Sequence, residues 1–256
     1  DPLWKQYVDW VGRTLRGDLG VSLARDRAVT ELLRGKIGAT VQLAIGSWVF
    51  AIALGIPMGV LAAVKRGSGW DYFGRGLAIV GQAAPPFVTA LVAIWIFAVW
   101  LEWLPAGGRS PEFNWKEYLL PCMALGWGAA ASLMRLTRSS MLEVLDSEYI
   151  RLARAKGVNW NWVIYKHALR NALIVPVTSA LLTFSGWLNG ALVVEIVFSW
   201  PGIGYEALYR AVNDNDFPLL LGTVFIFILI YLVFATIADV AYTIIDPRVR
   251  LGDSSE

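Results

Sequence analysis

The chain has 256 residues, 57% hydrophobic and only 16% charged, with 13 tryptophans and a mean hydropathy of +0.54, which is too apolar for a soluble domain of this length. A formal net charge of +2 gives no ground for a nucleic-acid partner. With Cys122 the only cysteine and His167 the only histidine, an intrachain disulfide, a thiolate or histidine-based metal site and a serine-hydrolase triad within the chain are all disfavoured.

Charged residues cluster so that five uncharged windows remain, at 37–64, 76–101, 118–134, 171–194 and 217–238. Crossing roughly 30 Å of hydrocarbon takes about 20 helical residues, so four windows span comfortably. The third is short and is expected to extend upstream or to tilt. Backbone groups in lipid must be paired internally, which makes the spans helices. A large soluble core would need polar faces at helical spacing, and the windows lack them.

Basic residues mark the cytoplasmic side. Lys65, Arg66 and Arg75, the long loop 135–170, and the tail with Arg248 and Arg250 are therefore expected inside. The more acidic connections at 102–117 and 195–216 are expected outside, and five spans then leave the first residues outside as well. Arg34 and Lys36 strain that assignment. A further amino-terminal helix would relieve the strain, with six spans and both ends inside, and the absence of an initiator Met fits an incompletely represented polypeptide. The expected division is an extracytoplasmic amino-terminal segment 1–36, a transmembrane domain 37–246 that carries a cytoplasmic loop at 135–170, and a cytoplasmic tail 247–256.

Inside the windows, Gly46, Gly55, Pro57 and Gly59, then Pro85-Pro86, then Gly186 and Gly190 read as close packing and kinks, with a bent pathway wall or hinge as the functional alternative. Trp48, Trp95, Trp100, Trp103, Trp127 and Trp187 read as an interfacial belt. Glu195 and Asp239 fall at span ends, where a carboxylate costs little, and read as structural.

The cationic loop is the most informative segment. Leu142, Leu145, Tyr149, Leu152 and Ala155 form one apolar stripe and predict an amphipathic helix. Gly157 ends it, with Arg154 and Lys156 set against the helix dipole. Asn159 caps a second helix through Trp160, Trp162, Val163 and Tyr165 to Arg170, which merges into the fourth span. Exposed aromatic and basic side chains of this kind suit a protein interface; a loop resting on anionic lipid is the alternative.

Tyr149-Ile150-Arg151-Leu152-Ala153-Arg154-Ala155-Lys156-Gly157 followed by His167-Ala168-Leu169-Arg170-Asn171-Ala172, with Pro176 beyond, resembles the loop motif of ABC-importer permeases of the dipeptide, oligopeptide and nickel family. The resemblance continues through Gly17-Asp18-Leu19-Gly20, Ser22, Leu104-Pro105, Gly107, Arg135-Leu136, Arg138-Ser139, Glu195, Phe198, Trp200-Pro201-Gly202, Asp239 and Asp246-Pro247-Arg248. Against the broader importer motif, Arg151, His167 and Arg170 stand where Glu, Ile and Pro are expected, departures that the peptide branch shares. The familiar first span is missing from the match.

The resemblance implies an all-α, polytopic bundle of the type I importer permease fold with five spans present. It implies a permease for di- or oligopeptides in a bacterial or archaeal cytoplasmic membrane, with nickel or another small solute as the alternative cargo. Its partners would be a second, homologous permease, two cytoplasmic ATPases, an extracytoplasmic substrate-binding protein and the bilayer. The chain has no Gly-x4-Gly-Lys-Ser/Thr sequence, so ATP and Mg would be bound by the partner ATPases, and the chain would hold no cofactor and catalyse nothing itself. Coupling to the ATPases is expected from Arg151, Ala153, Arg154, Lys156, Gly157, Val158, Trp160, Trp162, Tyr165, Lys166, His167 and Arg170. Trp200, Pro201, Gly202 and Gly204 are expected to face the binding protein. The rival of another class, a secondary transporter or channel, would want an ionisable residue or paired half-helices inside the membrane.

Overall fold

The computed structural model describes residues 2–245. Asp246-Pro247-Arg248 and the expected tail 247–256 lie outside the described residues. The described residues are mainly helical, with one isolated antiparallel bridge between Val21 and Ala28. A short helix α1 (Leu3–Leu15) and a strap at 16–28 precede α2 (Val29–Val64), which begins eight residues before the expected first span. Two helices, α3 (Gly69–Ala83) and α4 (Pro86–Ala93, continued by a π-helical stretch Ile94–Trp100), lead to α5 (Trp115–Leu145). Beyond the basic loop stand α9 (Ile174–Val197), the short α10 (Arg210–Asn213) and α11 (Phe217–Ile245).

The frame is a parallel pairing of α2 with α5. Lipid tails are as apolar as leucine, so nothing but close packing holds two spans together, and glycine supplies the closeness. A Cβ on Gly55 would meet the carbonyl oxygen of Ala130 at 2.6 Å, and one on Gly59 would meet that of Met134 at 2.6 Å. Gly46 lies on Cys122 and Gly126 on Ser47, so residue numbers rise together along both helices. These glycines are packing residues.

Two expectations change. The second window is sharply bent: Gly69–Ala83 and Pro86–Trp100 meet at 114°, because Pro85 and Pro86 cannot continue the hydrogen-bond ladder. The third window extends upstream to Trp115, as expected, and further downstream, to Leu145. Residues 135–145 belong to α5, so the loop proper starts at Asp146.

Among the described residues, three helices are long and apolar enough to cross a membrane, or four where the bent pair is counted as one span. The path of α9 is fixed at both ends. Ala172, just before it, packs with Ala63 at the cytoplasmic end of α2, and Trp200, just after it, donates its indole N–H to the carbonyl of Ala39 near the other end, at 3.0 Å. It therefore traverses the same thickness as α2.

The seam can be tested directly. Gly59→Ala is expected to destabilise the purified protein by about 1–3 kcal/mol, the usual cost of overpacking. Gly38→Ala, where a Cβ meets nothing within 4 Å, is expected to be neutral or slightly stabilising in the same denaturation series.

Candidate functional site

At the cytoplasmic end the chain is interrupted at Asp146-Ser147, so the expected single amphipathic helix is two: the end of α5, and α6 (Glu148–Ala155). Gly157 has φ +78, the left-handed conformation that L side chains resist. Its N–H and that of Val158 close the helix end on the carbonyls of Arg154 (3.0 Å) and Ala153 (3.2 Å). The Asn159 side chain then accepts the N–H of Asn161 at 2.9 Å and starts α7 (Trp160–Trp162), which runs through a π-helical stretch Val163–Ala168 into α8 (Leu169–Ala172). Leu173 donates to the carbonyl of Leu169, and Val177 to that of Leu173, each at 3.0 Å. The chain thus passes through a one-residue turn at Leu173 into α9, and Pro176, which has no N–H, leaves the carbonyl of Ala172 without its ladder bond.

This surface helix has two faces. Val163, Ile164, Ala168 and Ala172 are buried with Met141, Ile150 and Ala63. The i→i+5 turn brings residues five apart, such as Val163 and Ala168, onto one side. The other face is open: Trp160 is 41% exposed, Trp162 59% and Tyr165 68%, and Asn161, Trp162, Tyr165 and Lys166 line a surface cleft. The Arg154 guanidinium lies 5.1 Å from the Trp160 ring and the Lys166 ammonium 4.9 Å from the Trp162 ring. Such cation–π contacts orient the indoles while the charge stays at the surface. Arg151, Lys156, Val158 and Arg170 are exposed around this platform, Arg151 pairing with Glu148 at 2.8 Å. Ala153 and His167 are half-buried, and the Tyr149 hydroxyl accepts from Asn171 at 3.0 Å, tying α6 to α8. The expected stripe is corrected here: Ile150 points inward, whereas Leu152 is exposed.

A buried ion cluster, not anticipated from the sequence, holds the platform's support. Arg138 donates to both oxygens of Asp71, Nε to Oδ1 at 2.7 Å and Nη2 to Oδ2 at 3.0 Å. Arg75 and the N–H of Gly67 contact the same carboxylate at 3.3 and 3.0 Å. A bidentate guanidinium fixes orientation as well as charge. The α2–α3 turn is thereby clamped to α5 one turn above Met141.

The opposite end of α9 carries a latch. Glu195 is fully enclosed; Thr40 Oγ1 donates to its Oε1 at 2.6 Å, and the N–H groups of Gly204 and Tyr205 donate to its Oε2 at 2.7 and 3.2 Å. Thr40 Oγ1 also accepts the N–H of Ile203 at 2.9 Å. A carboxylate at this helix start satisfies amides that have no partner within the helix. Glu195 is thus structural, as expected, although it owes its place to enclosure and three donors rather than to a solvated span end. The expectation for the adjacent turn is corrected: Trp200, Gly202 and Gly204 are buried and Pro201 half-buried, because the turn wraps Glu195 so closely that a Cβ on Gly202 would sit 2.2 Å from Oε1. Trp200, Gly202 and Gly204 are thus interior, and Pro201 is the one of the four that is partly open.

Asp216 makes a second anchor nearby. Burial pushes its pKa up, but the Ser22 hydroxyl and the amides of Leu219, Leu23 and Ala24 outweigh that and hold it below the ordinary aspartate value. The strap at 16–28 is bolted to the outer end of α11 by these bonds. Asp239 is exposed on α11.

Residues 55–251 match the family described as binding-protein-dependent transport system inner membrane component. The chain belongs to that family. It is 38% identical over 275 residues to the dipeptide transport system permease protein DppB of Alkalihalophilus pseudofirmus, covering 98% of this chain and 82% of that protein. It is 39% identical over 249 residues to the glutathione transport system permease protein GsiC of Salmonella typhimurium, with 97% and 80% covered. The fold is similar to that of the methionine ABC transporter MetNI in its inward-facing form, with a TM-score of 0.69 at 18% identity over 84% of this chain and 96% of that one. The protein is therefore an ABC-importer permease, a helical multi-pass component of the inner membrane. The matched family range takes in the aromatic platform and, of the latch, Glu195 and the turn at 200–205, while Thr40 lies before it.

Removing the latch carboxylate orphans three buried donors, each worth about 1–3 kcal/mol. Glu195→Leu is expected to destabilise the protein by several such increments, and Gly202→Ala to do so through the same contact. Thermal unfolding in detergent measures both; a shift no larger than that of Gly38→Ala in either would remove the latch from the account.

Proposed function

We propose that this chain is the permease subunit of an ATP-driven importer of di- or oligopeptides, forming half of the translocation pathway beside a second, homologous permease. Two cytoplasmic ATPases would bind the ATP and Mg and grip the platform at 157–166. An extracytoplasmic binding protein would deliver the peptide. The names of the dipeptide and glutathione relatives support a peptide cargo over nickel.

The observation that carries the coupling role is the surface helix from Trp160, which runs through the one-residue turn at Leu173 into α9. Its inner side is packed and its outer side offers three aromatic rings. Nucleotide-driven closure of the ATPases would push on Trp160, Trp162 and Tyr165. The bonds that Leu173 makes to Leu169 and receives from Val177 would pass that displacement to α9 and so to the latch at Glu195, where the outer turn meets α2. Gly157 sets the angle at which the platform leaves α6, while Arg154 and Lys166 hold its rings.

Gly157→Val forces a β-branched residue into a left-handed conformation at a cost of about 1–3 kcal/mol, with no side chain within 4 Å to clash. Membrane insertion and assembly are expected to be retained, whereas substrate-stimulated ATP hydrolysis by the purified complex falls by about tenfold, the rate equivalent of 1.4 kcal/mol. Trp162→Ala, a surface change, is expected to act in the same direction. Full stimulation in both variants would overturn the docking assignment.

A further inference from the structure

We infer that α1 is an interfacial anchor that lies along the outer leaflet, with Leu3, Trp4, Tyr7 and Val8 immersed between lipid headgroups and acyl chains. At about 100° per residue, the apolar side chains of Leu3–Leu15, together with Thr14, fall in one arc about 160° wide. Lys5, Gln6, Asp9 and Arg13 fill the opposite side. Only part of the apolar arc is used by the protein: Thr14 is buried and Trp10 and Val11 half-buried, while Leu3, Trp4, Tyr7 and Val8 remain 83%, 69%, 65% and 58% exposed.

The height of this face is fixed. Leu19, four residues past the helix, is buried with Leu219 of α11; a Cβ on Gly20 would touch Pro218 at 3.8 Å, and one on Gly222 would touch Leu19 at 3.4 Å. Ser22 bonds to Asp216, the residue before α11 begins. The end of α1 is therefore tied to the outer end of a 29-residue apolar span, the level at which hydrocarbon gives way to headgroups. A cleft lined by Tyr7, Trp10 and Leu221 joins the two helices. The exposed apolar face is thus continuous with Phe217 and Leu221 of α11, 64% and 49% exposed, on a span that is 11% buried over its most apolar window.

Thirteen residues cover about 20 Å, too short to cross the bilayer, and the clean division of faces is that of a helix lying in the boundary. Trp and Tyr favour this depth because their rings are apolar and their N–H or O–H groups need water. Lipid is favoured over a protein occupant because the level of the face is set by α11 rather than by any loop that projects into solvent.

The test places a nitroxide label on single cysteines at Val8, at Trp4 and, on the opposite face, at Asp9, in the complete transporter reconstituted in phosphatidylcholine–phosphatidylglycerol vesicles. Cys122 is buried and is left in place. Power saturation is expected to show Val8→Cys and Trp4→Cys labels relaxed by oxygen and shielded from a water-soluble nickel chelate, with Asp9→Cys inverted. Equal nickel access on both faces would place the helix in water. Labels at 4 and 8 that are immobilised and closed to both relaxants would assign the face to protein. Either result overturns the inference.

Discussion

The proposed coupling surface depends on one locked side of the helix 160–172. Val163, Ile164 and Ala168 have essentially no solvent contact, and they rest on Met141, Ile150 and Ala63 at the foot of α5 and α2. That packing forces Trp160, Trp162 and Tyr165 to the opposite side. It also makes the platform a rigid extension of α9. If the buried face were loose, a push on the indoles would be absorbed by the loop; since it is packed, the displacement must be taken up by the bundle.

The remainder of the structure supplies resistance to that push. The glycine seam brings α2 and α5 close enough to act as one post, and the Asp71–Arg138 clamp keeps the post's cytoplasmic end from splaying. At the outer end, Glu195 ties α9 to Thr40 of α2 and to the turn that begins at Trp200. In the proposed mechanism, force entering at Trp162 would meet a rod that is held at its top by hydrogen bonds and at its bottom by apolar packing.

Apolar helices and the Gly157 turn were legible in the sequence because each rests on local chemistry: runs of uncharged residues, and a glycine where a helix must stop. The ends of α5 were not, since Arg135 and Arg138 look like loop charges until Asp71, 67 residues away, is seen to receive Arg138. The i, i+4 pair Asp71 and Arg75 was the one local hint. Likewise the outer turn reads as a display of Trp, Pro and Gly, but only the fold shows that Glu195 and Thr40 draw it inward. The faces of α1 are segregated in the sequence itself, with Lys5, Gln6, Asp9 and Arg13 opposite its apolar residues.

The account stands or falls on what touches Trp162 during turnover. A photoreactive benzoylphenylalanine at that position, activated in the complete, membrane-embedded complex, is predicted to yield an adduct with an ATPase subunit whose amount changes between nucleotide-free and ATP-bound states. Adducts formed with phospholipid alone in every nucleotide state would contradict it.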